Sequence, residues 1–320
     1  MTGAGGFVGR HVVRALLDAG FRVRAGVRHD GDHPRFPGLR GVEPVTIDVL
    51  DADSLVRAME GTEHVYHCAA LLDPRTPREL LREVNAGGTR RVWECAAASG
   101  VKKALYCSSA AVYGLLSRCD DAITEEVPAR AIEPYGYSKL LGERAALDVA
   151  ARTGLHTTVI RPVAIFGPGE RTKFGSSLRA AALSRLLNAG GFLEKRFSFV
   201  HVEDVAAALL HLAERELPGG EIYNVAVKEP ILFEEAFRAY RRALRGAGRS
   251  YARARLIAAA SAQLHRHPSL LRRVASVAGD RFLFRIWHPG FDLTYSAEKL
   301  LRTSFRFRWQ EFEQVFASCL

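Results

Sequence analysis

The sequence predicts an α/β fold built on a doubly wound parallel sheet, with a small, mainly helical lobe beside it. Two observations carry this. Strand-like and helix-like segments alternate through the first 165 residues, and a glycine cluster stands directly before the first helical segment.

The elements follow in order. Val8, Val12, Ala15 and Leu16 repeat at helical spacing over residues 7–19, and Gly20 is a natural stop. Residues 21–28 and 42–47 read as strands, with a helix over 51–59 after the second. A short buried strand is expected over 64–70, a long helix over 77–99 and a strand over 103–107. Residues 135–152 are helical again and lead into the β-branched run 157–160. Beyond Phe166 the rhythm breaks, returning at 197–200, 202–212 and 222–225. The remainder reads as mainly helical and basic, with a weak extended segment at the end. This places the core at residues 1–165 and 196–228 and the substrate-binding lobe at 166–195 and 229–320.

Composition narrows the class. Of 320 residues, 48% are hydrophobic and 25% charged, as in an ordinary soluble globular protein. No apolar run reaches the roughly 18 residues that span a bilayer, and no signal peptide is evident. The five cysteines (Cys68, Cys95, Cys107, Cys119, Cys319) lack C-x-x-C spacing. That argues against a metal site or a disulfide framework and for reduced thiols in the cytoplasm. The net charge of +10 reads as an arginine-rich solvated surface, because no nucleic-acid recognition motif accompanies it. The basic stretch Arg238–Arg285, interrupted by Leu256-Ile257 and Leu270-Leu271, reads as helices over the substrate cleft or as a peripheral membrane contact.

The glycine cluster is Thr2-Gly3-Ala4-Gly5-Gly6-Phe7-Val8-Gly9. Gly3, Gly6 and Gly9 suit a tight turn, close approach to a pyrophosphate, and close packing of helix on strand, as in a Rossmann dinucleotide site. The helix start then offers N–H groups and a positive dipole end to the phosphates. A hydrophobic strand is expected directly before Thr2, yet only Met1 stands there, so the first strand reads as truncated. At the end of the second strand, where an acidic residue would bind the NAD ribose, the chain has Arg28. A guanidinium there suits the 2′-phosphate of NADP, with NAD as the alternative cofactor if Arg28 is a solvated surface residue.

Two further segments complete a pattern. Tyr135-Gly136-Tyr137-Ser138-Lys139 puts Tyr135 and Lys139 on one helix face, and Cys107-Ser108-Ser109-Ala110-Ala111-Val112-Tyr113-Gly114 follows a strand. Together with Thr2–Gly9, these resemble the extended short-chain dehydrogenases/reductases of the NAD-dependent epimerase/dehydratase superfamily. Asp48, His67-Cys68-Ala69-Ala70, Val84–Thr89, Arg161-Pro162, Phe166–Gly169 and His201–Val205 match in the family's order.

The resemblance implies a catalytic set of Ser109, Tyr135 and Lys139. Tyr135 would be the acid/base. Its pKa, ordinarily about 10, is expected to be lowered by the Lys139 ammonium. Lys139 would also hold the nicotinamide ribose, and Ser109 would orient the substrate oxygen. Phe7, Val8, Asp48, Val49, Ala69, Ala70 and Val163 would line the cofactor. Asn85 either contacts the cofactor or bridges elements, and His201 and Asp204 are expected to brace the core. A homodimer is usual in the family.

Where sugar-nucleotide 4,6-dehydratases of the family carry an acidic pair, this chain has Ala110 and Ala111, which argues against dehydration. The 161–170 and 199–204 stretches look more like the 3β-hydroxysteroid dehydrogenase and dihydroflavonol reductase branches. The expected reaction interconverts a secondary alcohol and a ketone on a hydrophobic small molecule. A nucleotide-sugar epimerase with the same triad, or a non-catalytic NAD(P)-binding sensor, are the alternatives.

Overall fold

The computed structural model describes residues 1–28, 40–73, 75–114, 122–170, 194–246 and 292–319. Cys119, most of the 166–195 lobe segment, and Leu256-Ile257 and Leu270-Leu271 of the basic stretch lie outside the described residues.

The chain opens into α1 (Phe7–Asp18), β1 (Val23–Val27) and β2 (Val42–Thr46), then α2 (Ala52–Met59) and β3 (His64–His67). α3 (Arg78–Arg82) passes through one π-helical turn at Glu83–Gly87 into α4 (Gly88–Ala98), so the long helix expected over 77–99 is interrupted. β4 (Lys103–Cys107), a 3-10 turn (Ala110–Tyr113), α5 (Pro134–Thr153) and β5 (His156–Pro162) complete the first half. Pro134 sits in the first turn of α5, where its missing N–H costs nothing.

β3, β4, β5 and β9 (Glu221–Val225) form one parallel sheet in the order β3-β4-β5-β9, and β1 pairs in parallel with β2. Residues 1–4 join the two. The Gly26 N–H donates to Met1 O at 2.7 Å and the Ala4 N–H to Gly26 O at 3.0 Å, on the β1 side. On the β3 side the Thr2 N–H donates to Tyr66 O at 3.0 Å, and the Cys68 N–H donates to Thr2 O at 3.2 Å. The first residues therefore hold the central position that the sequence reading assigned to a strand ahead of Thr2. Strand order reverses there, and open α/β sheets form their ligand crevice at such a reversal.

Side chains alternate across the sheet. Tyr66, Leu105, Cys107 and Ile160 face α1 and α6 (Val202–Glu214) in one core. Val65, Ala104, Tyr106 and Val159 face α2, α4 and α5 in the other. Each fully buried Leu, Ile or Val contributes about 1.5–3 kcal/mol, so the two cores together fix the sheet between its helical layers.

Beyond β5, β6 (Ala164–Phe166) pairs with β8 (Phe199–His201), and β7 (Arg196–Phe197) pairs with β10 (Ile231–Leu232). α7 (Phe233–Gly246), α8 (Glu298–Arg302) and α9 (Phe312–Ala317) follow. The chain end is thus helical over 312–317 where a weak extended segment was expected. Its helix forms because Phe312, Val315 and Phe316, at helical spacing, pack against Phe166, Phe197 and Phe199. Residues 297–316, assigned to the lobe by sequence, share the core of the α1/α6 face through Leu300, Phe305 and Phe307.

Candidate active site

Because the strands run parallel, the residue after each strand lies at one edge of the sheet. Arg28 follows β1, Asp48 and Val49 follow β2, Ala69 and Ala70 follow β3, Ser109 follows β4 and Val163 follows β5. The turn from Thr2 to Gly9 opens at the same edge. This single geometric fact gathers nearly every residue singled out by sequence.

The turn is shaped for close approach. Gly3 has φ +69°, and a Cβ there would stand 2.6 Å from the Ala69 nitrogen. A Cβ on Gly9 would stand 2.0 Å from Gly3 O, so only glycine lets α1 pack on the turn. Gly6 is exposed at the N-cap of α1, and no side chain caps that helix or puts an acid into its first turn. Phe7 and Val8, both half-buried, form the first turn. The cradle fits a dinucleotide pyrophosphate: backbone, positive helix end and no competing carboxylate.

Around it, Asp48 is exposed, and its Oδ1 accepts from the Leu50 N–H at 2.9 Å, which sets the bend after β2. Val49 is buried against Gly88 of α4. Arg28 is exposed at the end of β1. Asn85 is fully buried in the π-helical turn. Its Oδ1 accepts from the Leu71 N–H at 2.8 Å, and its Nδ2 donates to Leu71 O and to Ser138 Oγ, each at 2.9 Å. These bonds tie the loop after β3 to α5 through Asn85.

The catalytic set converges. Lys139 is 1% exposed. Its Nζ donates to Cys107 O at 2.7 Å and lies 4.2 Å above the Tyr106 ring. Ser109 starts the 3-10 turn, its Oγ accepting from the Ala111 N–H at 3.2 Å. A Cβ on Gly136 would meet Ala111 O at 2.3 Å, so α5 rides directly on that turn and brings Tyr135 to Ser109. Ser108 plays a different part: its Oγ donates to Glu143 Oε1 at 2.5 Å inside the core.

The direction of the Tyr135 shift corrects the expectation. Burial pushes the phenol above its ordinary value, and the Lys139 charge and the Ser109 hydrogen bond only partly oppose it. In this state Tyr135 is held as a proton donor.

Two networks escaped the sequence reading. Arg161 Nε and Nη2 donate to Glu143 Oε1 and Oε2 at 3.0 and 2.7 Å, with side chains 5% and 2% exposed. Glu143 lies four residues beyond Lys139 on the same face of α5, a spacing that would have flagged it. His67 forms the second network, through Nδ1 to Thr2 Oγ1 at 2.6 Å and Nε2 to Thr89 Oγ1 at 2.9 Å. Burial pushes its pKa well below the ordinary histidine value, which leaves it neutral.

His201 and Asp204, expected to brace the core, hold the segment at Arg308 and Trp309. The Asp204 carboxylate accepts from the Arg308 and Trp309 N–H groups at 2.9 and 3.0 Å, and His201 stacks on Trp309 at 4.2 Å. Among the described residues, no three His, Cys, Asp or Glu side chains come together as metal ligands. No helix among them is long and apolar enough to cross a membrane.

Comparison with known proteins agrees with this geometry. The model of the NAD dependent epimerase/dehydratase family matches residues 1–226. A Mus musculus protein, sterol-4-alpha-carboxylate 3-dehydrogenase, decarboxylating, is 32% identical over 241 residues, covering 73% of this chain and 65% of its own. The ceramide reductase of Caulobacter vibrioides is 37% identical over 212 residues, covering 66% of this chain and 59% of its own. This chain thus spans less than two thirds of the length of these curated relatives. In fold, it is similar to the Thermus thermophilus UDP-glucose 4-epimerase in complex with NAD, with TM-score 0.70, 24% identity, and coverage of 99% of this chain and 96% of that one.

Proposed function

Since the chain belongs to the NAD dependent epimerase/dehydratase family, we propose that it transfers a hydride between NAD(P) and a secondary alcohol or ketone, with Tyr135 as acid/base. The observation that carries this reading is Lys139 anchored on the Cys107 carbonyl, two residues before Ser109, with the first turn of the Tyr135 helix packed directly on the Ser109 turn.

When bound, NAD(P) would supply or accept the hydride. The chain's own residues handle the oxygen. Ser109 donates a hydrogen bond to the substrate oxygen and fixes its distance from Tyr135. Tyr135, kept in its protonated form by its raised pKa, delivers a proton to that oxygen as the ketone is reduced. Lys139 then stabilises the phenolate by its charge. Gly3, Gly6, Phe7, Val8 and Gly9 would hold the pyrophosphate, Asp48, Val49, Ala69, Ala70 and Val163 would flank the rest of the cofactor, and Arg28 would favour NADP.

The substrate is read as hydrophobic. The sterol and ceramide chemistry in the names of the relatives supports this. So do the exposed apolar side chains Leu72 ahead of α3, Leu80 within it and Ile132 ahead of α5. The 166–195 and 229–320 segments are read as the substrate-binding lobe, with Arg238–Arg285 as helices over its cleft or as a peripheral membrane contact, and the protein as a cytoplasmic homodimer. The deciding experiment offers sterol-like alcohols, long-chain ketones and nucleotide sugars with NADPH and with NADH, and follows cofactor absorbance. Turnover of nucleotide sugars alone would favour the epimerase reading, and no substrate-dependent change with any of them would favour a sensor.

A further inference from the structure

Cys68 and Cys107 oppose each other on adjacent strands. The parallel register runs from His64↔Lys103 to His67↔Tyr106, so the next residue on each chain is a cysteine. Side chains alternate between faces. His67 and Tyr106 stack 5.3 Å apart on one face, so the register sets the two thiols side by side on the other. Neighbouring strands lie about 4.8 Å apart, within the roughly 4.4–6.8 Å between Cα atoms that a disulfide spans. Cys68 is half-buried and Cys107 buried.

The backbone of both residues touches the site. The Gly3 turn rests on Cys68 and Ala69, with an added Cβ only 2.6–2.8 Å from their backbone atoms. The Cys68 N–H donates to Thr2 O, and Cys107 O holds Lys139.

We infer that Cys68 and Cys107 form a modification site: a dithiol oxidised by hydroperoxides to a disulfide that weakens dinucleotide binding. One of the two cysteines, as thiolate, attacks the peroxide oxygen, giving a sulfenic acid and releasing water or an alcohol. The other thiol then attacks that sulfur, the S–O bond breaks, and a second molecule leaves as water. Two thiols lose two electrons and two protons, and the peroxide is reduced. Closing the sulfurs to a covalent bond draws together the strand ends that carry the glycine turn and Lys139. The effect on binding rests on the reading of Thr2–Gly9 as the dinucleotide turn.

The test treats the full chain with hydrogen peroxide, alkylates the remaining thiols and maps the unreduced digest by mass spectrometry. NADPH and NADH are titrated before oxidation, after it, and after dithiothreitol. The expected result is a Cys68–Cys107 linked peptide, cofactor affinity weaker by about fivefold or more, and recovery on reduction. Cys68→Ser should form no such link and keep its own affinity through peroxide treatment. Absence of the linked peptide in the unaltered chain overturns the dithiol. A linked peptide with unchanged affinity overturns its effect on binding. A reduced protein that binds neither cofactor sinks the dinucleotide reading instead, while the linked peptide still decides the dithiol.

Discussion

The Lys139 ammonium lies 2.7 Å from the carbonyl oxygen of Cys107, two residues before Ser109 on the same strand exit. One hydrogen bond thus ties the helix that carries Tyr135 to the segment that carries its partner. Lys139→Ala should lose both turnover and NAD(P) affinity, since it removes the anchor and a buried charge together. Retained affinity, measured by fluorescence titration, would assign Lys139 to chemistry alone.

Tyr135→Phe removes one proton donor and little area. Turnover of any substrate found by the screen should fall by about 10²–10⁴-fold, with cofactor affinity nearly unchanged. A near-normal kcat would mean another group supplies the proton.

Burial raises the Tyr135 pKa, so the acid form persists to higher pH than in an ordinary tyrosine. A general acid is lost as pH rises through its pKa. For ketone reduction, kcat/KM should therefore stay level from neutral into mildly alkaline solution and fall only beyond the ordinary tyrosine range. A fall centred near neutrality that disappears in Tyr135→Phe would show the Lys139 charge outweighing burial in the free enzyme.

Arg28→Asp should turn preference from NADPH towards NADH. A hydrogen bond to a charged group is worth about 1.5–3 kcal/mol, so the ratio of kcat/KM values should move by roughly tenfold or more. An unchanged ratio would make Arg28 a surface residue.

Arg161→Met leaves Glu143 buried without its bidentate partner. Breaking such a pair costs about 3–5 kcal/mol, readable in the denaturant midpoint. Arg161→Met combined with Glu143→Leu should recover much of the loss. If the double substitution is as unstable as the single one, the pair matters for packing rather than charge.

What was legible in the sequence was local or tied to a motif. Helical spacing found α1 and α5, and the strand exits placed Arg28, Asp48, Ala69, Ser109 and Val163 because parallel strands present their ends together. The Ser108–Glu143–Arg161 network was not legible, because its members are joined only once α5 packs on β4 and β5. The same holds for residues 1–4: their partners on β1 and β3 are set by sheet order, which no short window contains. The sign of the Tyr135 shift was missed for a related reason, since a motif displays the neighbouring charge but not the depth of burial.

The brace between His201 and the chain end also bears on how the protein is made. His201 Nε2 meets Ser318 Oγ across 117 residues of sequence, and Tyr113 meets Asn224 across 111. Contacts this distant form slowly, since a long loop must close before they return any stability. During synthesis the sheet can assemble while residues 297–316 are still in the ribosome. The apolar face of α6 that Leu300, Phe305 and Phe307 later cover then stands open to other chains. Recovery of native protein is therefore governed by the interval between sheet formation and arrival of the last helices, an interval that slower translation or a holdase chaperone would make safer.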